Sequence, residues 1–350
     1  MFINNSLCIS PQHTYSSELF EGKIELLDGK LYKAIEPEYR GLIPLGLLRR
    51  LSKAVRMGIA TGLPLITQEK VDGIIVGSSN GSMDASIKFL NQIMEYDEGT
   101  LTPTNFVQST SNSIAGNIAL LGKVTGYNNT HVNQGLSFEA ALLDAFLYFE
   151  DHKNTTLLVG GVEEVSETNH NIDSQRGLYK KEDLTSEGLL NANSPGTYYG
   201  EGAVMFTVSE QKTPQSIVKV KDVDLRIETN TNNISTWIQD FLDRNHCSTK
   251  EVDTLFLGYN GDSNFDHYYN SALNQLFEST NCYTYKNLCG EFASTSAFAT
   301  WLATQLAAGK QLPSSCLKKG TSENIPKWIL IYNHFEGNQH GLILLRNVTN

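Results

Sequence analysis

Short buried strands alternate with apolar helices along almost the whole chain, and this alternation restricts the fold more than any single motif does. Asp72-Gly-Ile-Ile-Val-Gly77 reads as a buried strand running into a Gly/Ser turn at 78–82. Apolar residues at Ile87, Leu90, Ile93 and Met94 predict a helix over 85–96, and 109–121 predicts a second helix rich in small residues. The stretch 129–133 reads as extended. The stretch 137–149 reads as a strongly apolar helix carrying Phe138, Ala141, Leu142, Ala145, Phe146 and Phe149. Strands are predicted at 155–159, ending in Gly160-Gly161, and at 203–208. The polar, turn-rich segment 165–200 between them is expected to be an elaborated surface loop. The second half repeats the scheme: a strand at 217–220, a helix at 234–242, a strand at 254–258, a helix at 266–277, a helix at 292–308 closed by Gly309, and a closing strand pair at 328–332 and 342–345. Repeated strand–helix–strand order predicts an α/β protein with sheets sandwiched between helices. Thr213-Pro214 is the seam between an N-terminal half, 1–212, and a C-terminal half, 213–350, expected to form one compact unit.

Composition narrows the class. At about 150 residues per domain, 350 residues suit one large domain or two fused units. With 40% hydrophobic and 19% charged residues, the chain can bury a sizeable core, which excludes wholesale disorder. Lys and Arg total 27 against 38 Asp and Glu, a formal charge of −11, so neither nucleic acid nor an anionic membrane is an expected partner. Five cysteines with no CxxC spacing argue against a disulfide framework or a zinc knuckle and for reduced thiols in a cytoplasmic protein. The first ten residues lack the basic and apolar regions of a signal peptide, and no apolar run of about 20 residues could span a bilayer. No metal or cofactor is expected.

Seven blocks, in order, carry a family resemblance. Asp72-Gly-Ile-Ile-Val-Gly-Ser-Ser resembles an early core strand with its glycine exit; 103–126 resembles a dimer-interface helix and the turn after it; and His131-Val-Asn-Gln-Gly-Leu-Ser-Phe-Glu-Ala-Ala-Leu142 resembles a nucleophile turn with its buried helix. Val159-Gly-Gly-Val-Glu163, Gly200-Glu-Gly-Ala203, Lys286 to Gly290 and Asn333-His-Phe-Glu-Gly-Asn-Gln-His340 complete the set. Together they resemble the beta-ketoacyl-acyl-carrier-protein synthases of the thiolase superfamily over roughly 41–345. The resemblance implies a thiolase fold: two pseudo-symmetric halves forming a five-layered αβαβα sandwich.

It also implies a site whose working parts are replaced. Active members place a Cys at the N-terminus of the buried helix, where the helix dipole and backbone N–H groups stabilise the thiolate. Here Gln134 takes that place, or Gly135 with a one-residue slip, and neither can form a thioester. Ser137 is read as a small packing residue. The two histidines that bind a malonyl thioester are replaced by Asn260, in Gly258-Tyr-Asn-Gly-Asp262, and by Glu291, in Lys286-Asn-Leu-Cys-Gly-Glu291. A carboxylate at 291 would face the malonyl carboxylate and offers no donor to an oxyanion. Glu336 interrupts the late glycine run, while Lys286 and Phe335 match the family pattern. Lys286 is expected to pair with Glu291 and Glu163 in a buried ion network, Cys289 to be a buried structural thiol, and His131, His334 and His340 to be loop or packing residues.

Such a chain resembles the chain-length factor of heterodimeric ketosynthases in type II polyketide, aryl-polyene or flexirubin-like pathways. The implied role is architectural: an active ketosynthase partner performs the condensation, and this chain shapes the acyl tunnel through Phe106, Ser111 and Ala115. The acyl carrier protein is expected to dock mainly on the partner, with Arg49, Arg50, Lys53 and Arg56 as a local basic patch. Three alternatives remain open at this point: a malonyl-carrier decarboxylase of the Gln-for-Cys type, a non-enzymatic homodimeric regulatory paralogue and, ranked below these, an enzyme with displaced chemistry at Cys289 or Cys282.

Overall fold

The structure, a computed structural model, describes residues 1–321 and 325–349. Its strands are β1 Phe2–Ile9, β2 Leu31–Tyr32, β3 Gly73–Gly77, β4 Tyr127–His131, β5 Thr156–Glu163, β6 Tyr199–Gly200, β7 Gly202–Ser209, β8 Val218–Ile227, β9 Thr254–Leu257, β10 Asn281–Tyr283, β11 Leu317–Lys319, β12 Trp328–Phe335 and β13 Gln339–Asn347. Among the described residues, eleven of these form one mixed sheet in the order β11-β10-β9-β12-β13-β8-β1-β7-β5-β3-β4, and β2 pairs with β6 apart from it. Reading outward from the middle, β1-β7-β5-β3-β4 and β8-β13-β12-β9-β10 repeat one order, first, fifth, fourth, second and third strand of each half once β2, β6 and the added edge strand β11 are set aside. Strand directions repeat as well, antiparallel for the first two pairings and parallel for the next two. The halves meet where Phe2 and Ile3 of β1 pair antiparallel with Lys219 and Val218 of β8.

Helices fill three layers around the two halves of the sheet. The middle layer holds Ser137–Asp151 and Thr295–Ala307, each touching strands of both halves, with one continuous apolar core around them. Thr295–Ala307 is buried at every position, so it carries apolar and small side chains all round. Two of its buried hydroxyls bond back into the helix, Thr300 to the carbonyl of Ser296 and Thr304 to that of Thr300, both at 2.8 Å. The outer layer of the first half packs Lys53–Gln68 and Ser113–Gly122 on the sheet, and that of the second half packs Thr231–Arg244 and His267–Leu276. These are the five layers that the resemblance implies.

Local differences from the sequence reading have physical causes. The helix expected over 109–121 is two helices, Pro103–Ser109 and Ser113–Gly122, with a turn between them at Thr110, Ser111 and Asn112. The helix Lys53–Gln68 was not expected, because Gly58, Gly62 and Pro64 disguise it. Gly58 is small for a tertiary reason: a Cβ there would stand 2.7 Å from Cγ2 of Ile114 on the neighbouring helix. The segment expected as surface loop carries two short helices, Glu167–Gln175 and Ser186–Leu189. No helix among the described residues is long and apolar enough to cross a membrane.

Candidate functional site

The end of β4 turns through Gln134–Leu136 into the middle-layer helix Ser137–Asp151. Gln134 has φ +50°, a left-handed conformation that few side-chain-bearing residues adopt. Its side chain is exposed, and its Oε1 accepts from Nε2 of Gln339 at 3.2 Å; Oε1 of Gln339 in turn accepts from the Gly135 N–H at 2.8 Å. Gly135 has no room for a side chain, since a Cβ would fall 2.0 Å from Cβ of Phe335. The strained residue is therefore Gln134, and Gly135 is the floor on which Phe335 sits. Ser137 is buried and satisfied, its Oγ accepting from the Asn133 N–H at 2.9 Å and donating to the carbonyl of Gln134 at 2.7 Å. It fastens the turn to the helix.

Phe335 also lines a narrow cavity of about 70 Å³, whose wall includes Asn260 and Glu291. These two residues, 31 apart in sequence, bond to each other: Nδ2 of Asn260 donates to Oε2 of Glu291 at 2.8 Å. The same oxygen takes the ammonium of Lys286 at 2.6 Å, and Oε1 accepts from Thr295 at 3.3 Å. Lys286 has no exposed side-chain surface and donates a second bond to the carbonyl of His334 at 3.2 Å. Burial pushes the Glu291 carboxyl above its ordinary value, against the pull of Lys286 and these hydrogen bonds. The Asn260 turn is pinned from below by Asp266, which accepts the N–H groups of Asn260 and Gly261 at 3.2 and 2.9 Å and is itself raised to about 6 by burial.

The expected ion network is half formed. Lys286 pairs with Glu291, but Glu163 lies elsewhere: its carboxylate accepts the backbone N–H groups of Ser79 and Asn80 and fixes the Gly/Ser turn after β3. Cys289 is fully buried, with its thiol against the carbonyls of Tyr285 and Gly290; burial, then the charge of Glu291, push it well above the ordinary thiol range. It is not a nucleophile in this setting. All five cysteines are free and buried.

Other expectations need correction. Ala115 faces the outer core with Ile114 and Ile118, away from any surface a partner could reach. The helix break explains this, because Ser111 stands in the turn, packed against Gly81, and no helical repeat connects it to Ala115. Phe106 is 55% exposed, its ring 5.3 Å from that of Phe89. None of these three lines the cavity. The basic patch is also reduced: Lys53 is bound to Glu201 and Glu36, and Arg56 to Glu36, leaving Arg49 and Arg50 exposed.

His131 pairs with Asp144 at 2.8 Å beside the sheet edge, and His340 is buried against Tyr332 and the carbonyl of Glu228. His334, read from sequence as a packing residue, lines the cavity. Arg176, which no motif marks, ties Asp173 to Glu336 at 3.0 and 3.1 Å, closing the helix Glu167–Gln175 onto the loop after Phe335. Glu336 itself has φ +49°.

Comparisons with known proteins agree with this architecture. The sequence profile "Beta-ketoacyl synthase, N-terminal domain" matches residues 31–191. No curated protein matches the sequence. Among solved structures, a beta-ketoacyl synthase from Burkholderia phymatum superposes with a TM-score of 0.82 at 13% identity, covering 99% of each chain. The ketosynthase ApeO in complex with its chain length factor ApeC from Xenorhabdus doucetiae gives 0.78 at 15% identity, over 99% of this chain and 98% of that one. The ishigamide ketosynthase/chain length factor gives 0.76 at 12%, over 99% and 98%. At such identities the likeness is one of fold. Residues 31–191 thus match the beta-ketoacyl synthase N-terminal domain, and the chain as a whole shares the thiolase-type fold of the solved beta-ketoacyl synthases.

Proposed function

We propose that this chain is a non-catalytic, chain-length-factor-like subunit that pairs with an active beta-ketoacyl-acyl-carrier-protein synthase and walls part of its acyl tunnel. The observation that carries the reading is the closed cluster of Asn260, Glu291 and Lys286. Condensation needs a thiolate at the strained turn and hydrogen-bond donors at the thioester oxygen and the malonyl carboxylate. Here the turn holds an amide, and the two would-be donor positions are spent on each other. A malonyl carboxylate would meet Glu291 as a like charge in a buried site.

The surface favours a partner subunit. β4 is the last strand of the sheet, with one side unpaired, and the flanking helices expose Leu120, Leu143 and Leu147 beside Tyr127. An open strand edge bordered by apolar side chains is a surface that proteins normally cover. Phe106 and Ser111 are the tunnel-side residues of the proposal; Ala115 is withdrawn from it. In this reading the partner carries the Cys-His-His set, the carrier protein docks on the partner, and the pair works in the cytoplasm on a polyketide, aryl-polyene or flexirubin-like chain.

Co-expression with a Cys-His-His ketosynthase tests the reading. A stable heterodimer should condense malonyl units, while the isolated chain should neither condense nor decarboxylate malonyl-carrier protein. In the heterodimer, Ser111→Phe should shorten the products. Robust decarboxylation by the isolated chain, or a homodimer indifferent to every ketosynthase, would overturn it.

A further inference from the structure

The cavity beside Phe335 keeps a chemistry of its own. Four carboxylate residues line it, Asp173, Asp262, Glu291 and Glu336, and among the described residues no lysine or arginine does. Arg176 meets Asp173 and Glu336 from outside the lining, and Lys286 meets Glu291 from behind. Three of the four acceptor directions on the Glu291 carboxylate are taken, by Asn260, Lys286 and Thr295, and one remains on Oε1. Asp262 accepts the Asn264 N–H at 2.9 Å and has further lone pairs to offer.

His334 supplies an independent observation. It lines the cavity, is 1% exposed, and its Nδ1 has no hydrogen-bond partner. Nε2 faces the carbonyl of Phe265 at 3.2 Å, so Nε2 carries the proton and Nδ1 is a bare acceptor. The ring resists a second proton, because burial and then Lys286 push it well below the ordinary imidazole value. A buried acceptor without a donor costs free energy that a donor-bearing ligand would recover. An anion would bring only more acceptors into a wall of acceptors.

We propose that this cavity binds a small organic cation, a primary ammonium of about three to five heavy atoms, which donates to Oε1 of Glu291, to Asp262 and to Nδ1 of His334. An ammonium offers three donors and no acceptor, which suits a wall whose polar groups include Oε1 of Glu291, Asp262 and Nδ1 of His334. The position vacated by thioester chemistry thereby takes a ligand of opposite charge. The cavity's chemistry is the same whether or not the chain pairs with a synthase, so the site can be tested on the isolated chain.

Ethylammonium chloride is the probe, titrated at constant ionic strength into the full chain, with sodium acetate and sodium malonate as anionic counterparts. The readouts are the imidazole nitrogen resonances of His334 and the thermal midpoint. Ethylammonium should move the Nδ1 resonance saturably and raise the midpoint, and both anions should leave them unchanged. Asp262→Asn keeps the acceptor for Asn264 and removes the charge, and should weaken ethylammonium binding about tenfold, the loss of one charge-assisted hydrogen bond. Saturable binding of malonate or acetate, an Nδ1 resonance that ignores ethylammonium, or an Asp262→Asn variant that binds as tightly as the parent would overturn the proposal.

Discussion

Gln134 stands in a left-handed turn that costs a residue with a side chain of order 1–3 kcal/mol, and nothing in the chemistry of an amide asks for that conformation. The turn is a feature of the scaffold, suited to presenting a nucleophile at the start of a helix. The variant Gln134→Cys should therefore expose one reactive thiol. Alkylation of the folded protein should label that residue and spare the five native cysteines, all of them buried, with Cys282 and Cys316 pushed up to about 12 by burial. Labelling of the unsubstituted chain under native conditions would contradict this. The variant should still form no condensation product, because Asn260 and Glu291 remain bonded to each other. Beneath Phe335, Gly135→Ala forces a methyl into occupied space and should cost about 1–3 kcal/mol, read as a lower thermal midpoint. Gln134, Asn260, Glu291 and Lys286 were legible in sequence because each stands at a fixed place in a local motif. His334 lies inside such a motif and packs on Tyr269, yet only the third dimension brings it to the cavity wall. Arg176 sits in a stretch with no motif, and its partners come from distant segments.

Elements were legible where periodicity alone decides them. The strands β3, β5 and β7 are legible because burial on both faces leaves an unbroken apolar run, and the helix Ser137–Asp151 because its buried face repeats apolar residues at helical spacing. The helix Lys53–Gln68 was hidden by glycines that serve its packing, and β1, although it joins the two halves, carries the polar residues Asn4, Asn5 and Ser6. The helix break at 110–112 was invisible to spacing, and it alone separates Ser111 from Ala115. At the sheet edge, Leu143 and Leu147 project from the helix behind β4, 41% and 55% exposed. Changing both to Asp should leave the isolated chain's stability within about 0.5 kcal/mol per site, since neither is buried. In co-expression the same pair should abolish recovery of the ketosynthase partner on size exclusion. Unchanged recovery would move the partner surface away from β4.

The whole molecule is welded through its middle layer. Both central helices touch strands of both halves, so neither half retains its core when the other melts. Denaturation followed by tryptophan fluorescence and by circular dichroism should give coincident transitions, although a chain of 350 residues often unfolds in steps. Stability should also respond to pH in an unusual direction. Burial raises Glu163 to about 8, and Glu164 and Glu139 to about 7. Folded, they hold protons that the unfolded chain has already released, so their contribution is complete in acid and is lost as pH climbs through those values. His334 and His340, both depressed by burial, work the other way, but only up to their ordinary value of 6.5; the Met1 amine, depressed to about 5, opposes the carboxyls up to about 8. Three carboxyls outweigh one amine only up to about pH 7, and from there to about 8 Glu163 and the amine offset each other, so the thermal midpoint should fall between about pH 6.5 and 7 and then level; in Glu163→Gln it should instead rise between about pH 7 and 8. The buried lysine has a last implication, for redesign. A histidine placed at 291 would strand the Lys286 ammonium in the interior, and one placed at 260 would strip a donor from Glu291. Glu291→His and Asn260→His should therefore each give a less stable protein than the parent, so these positions can only be exchanged together with Lys286 and not one at a time.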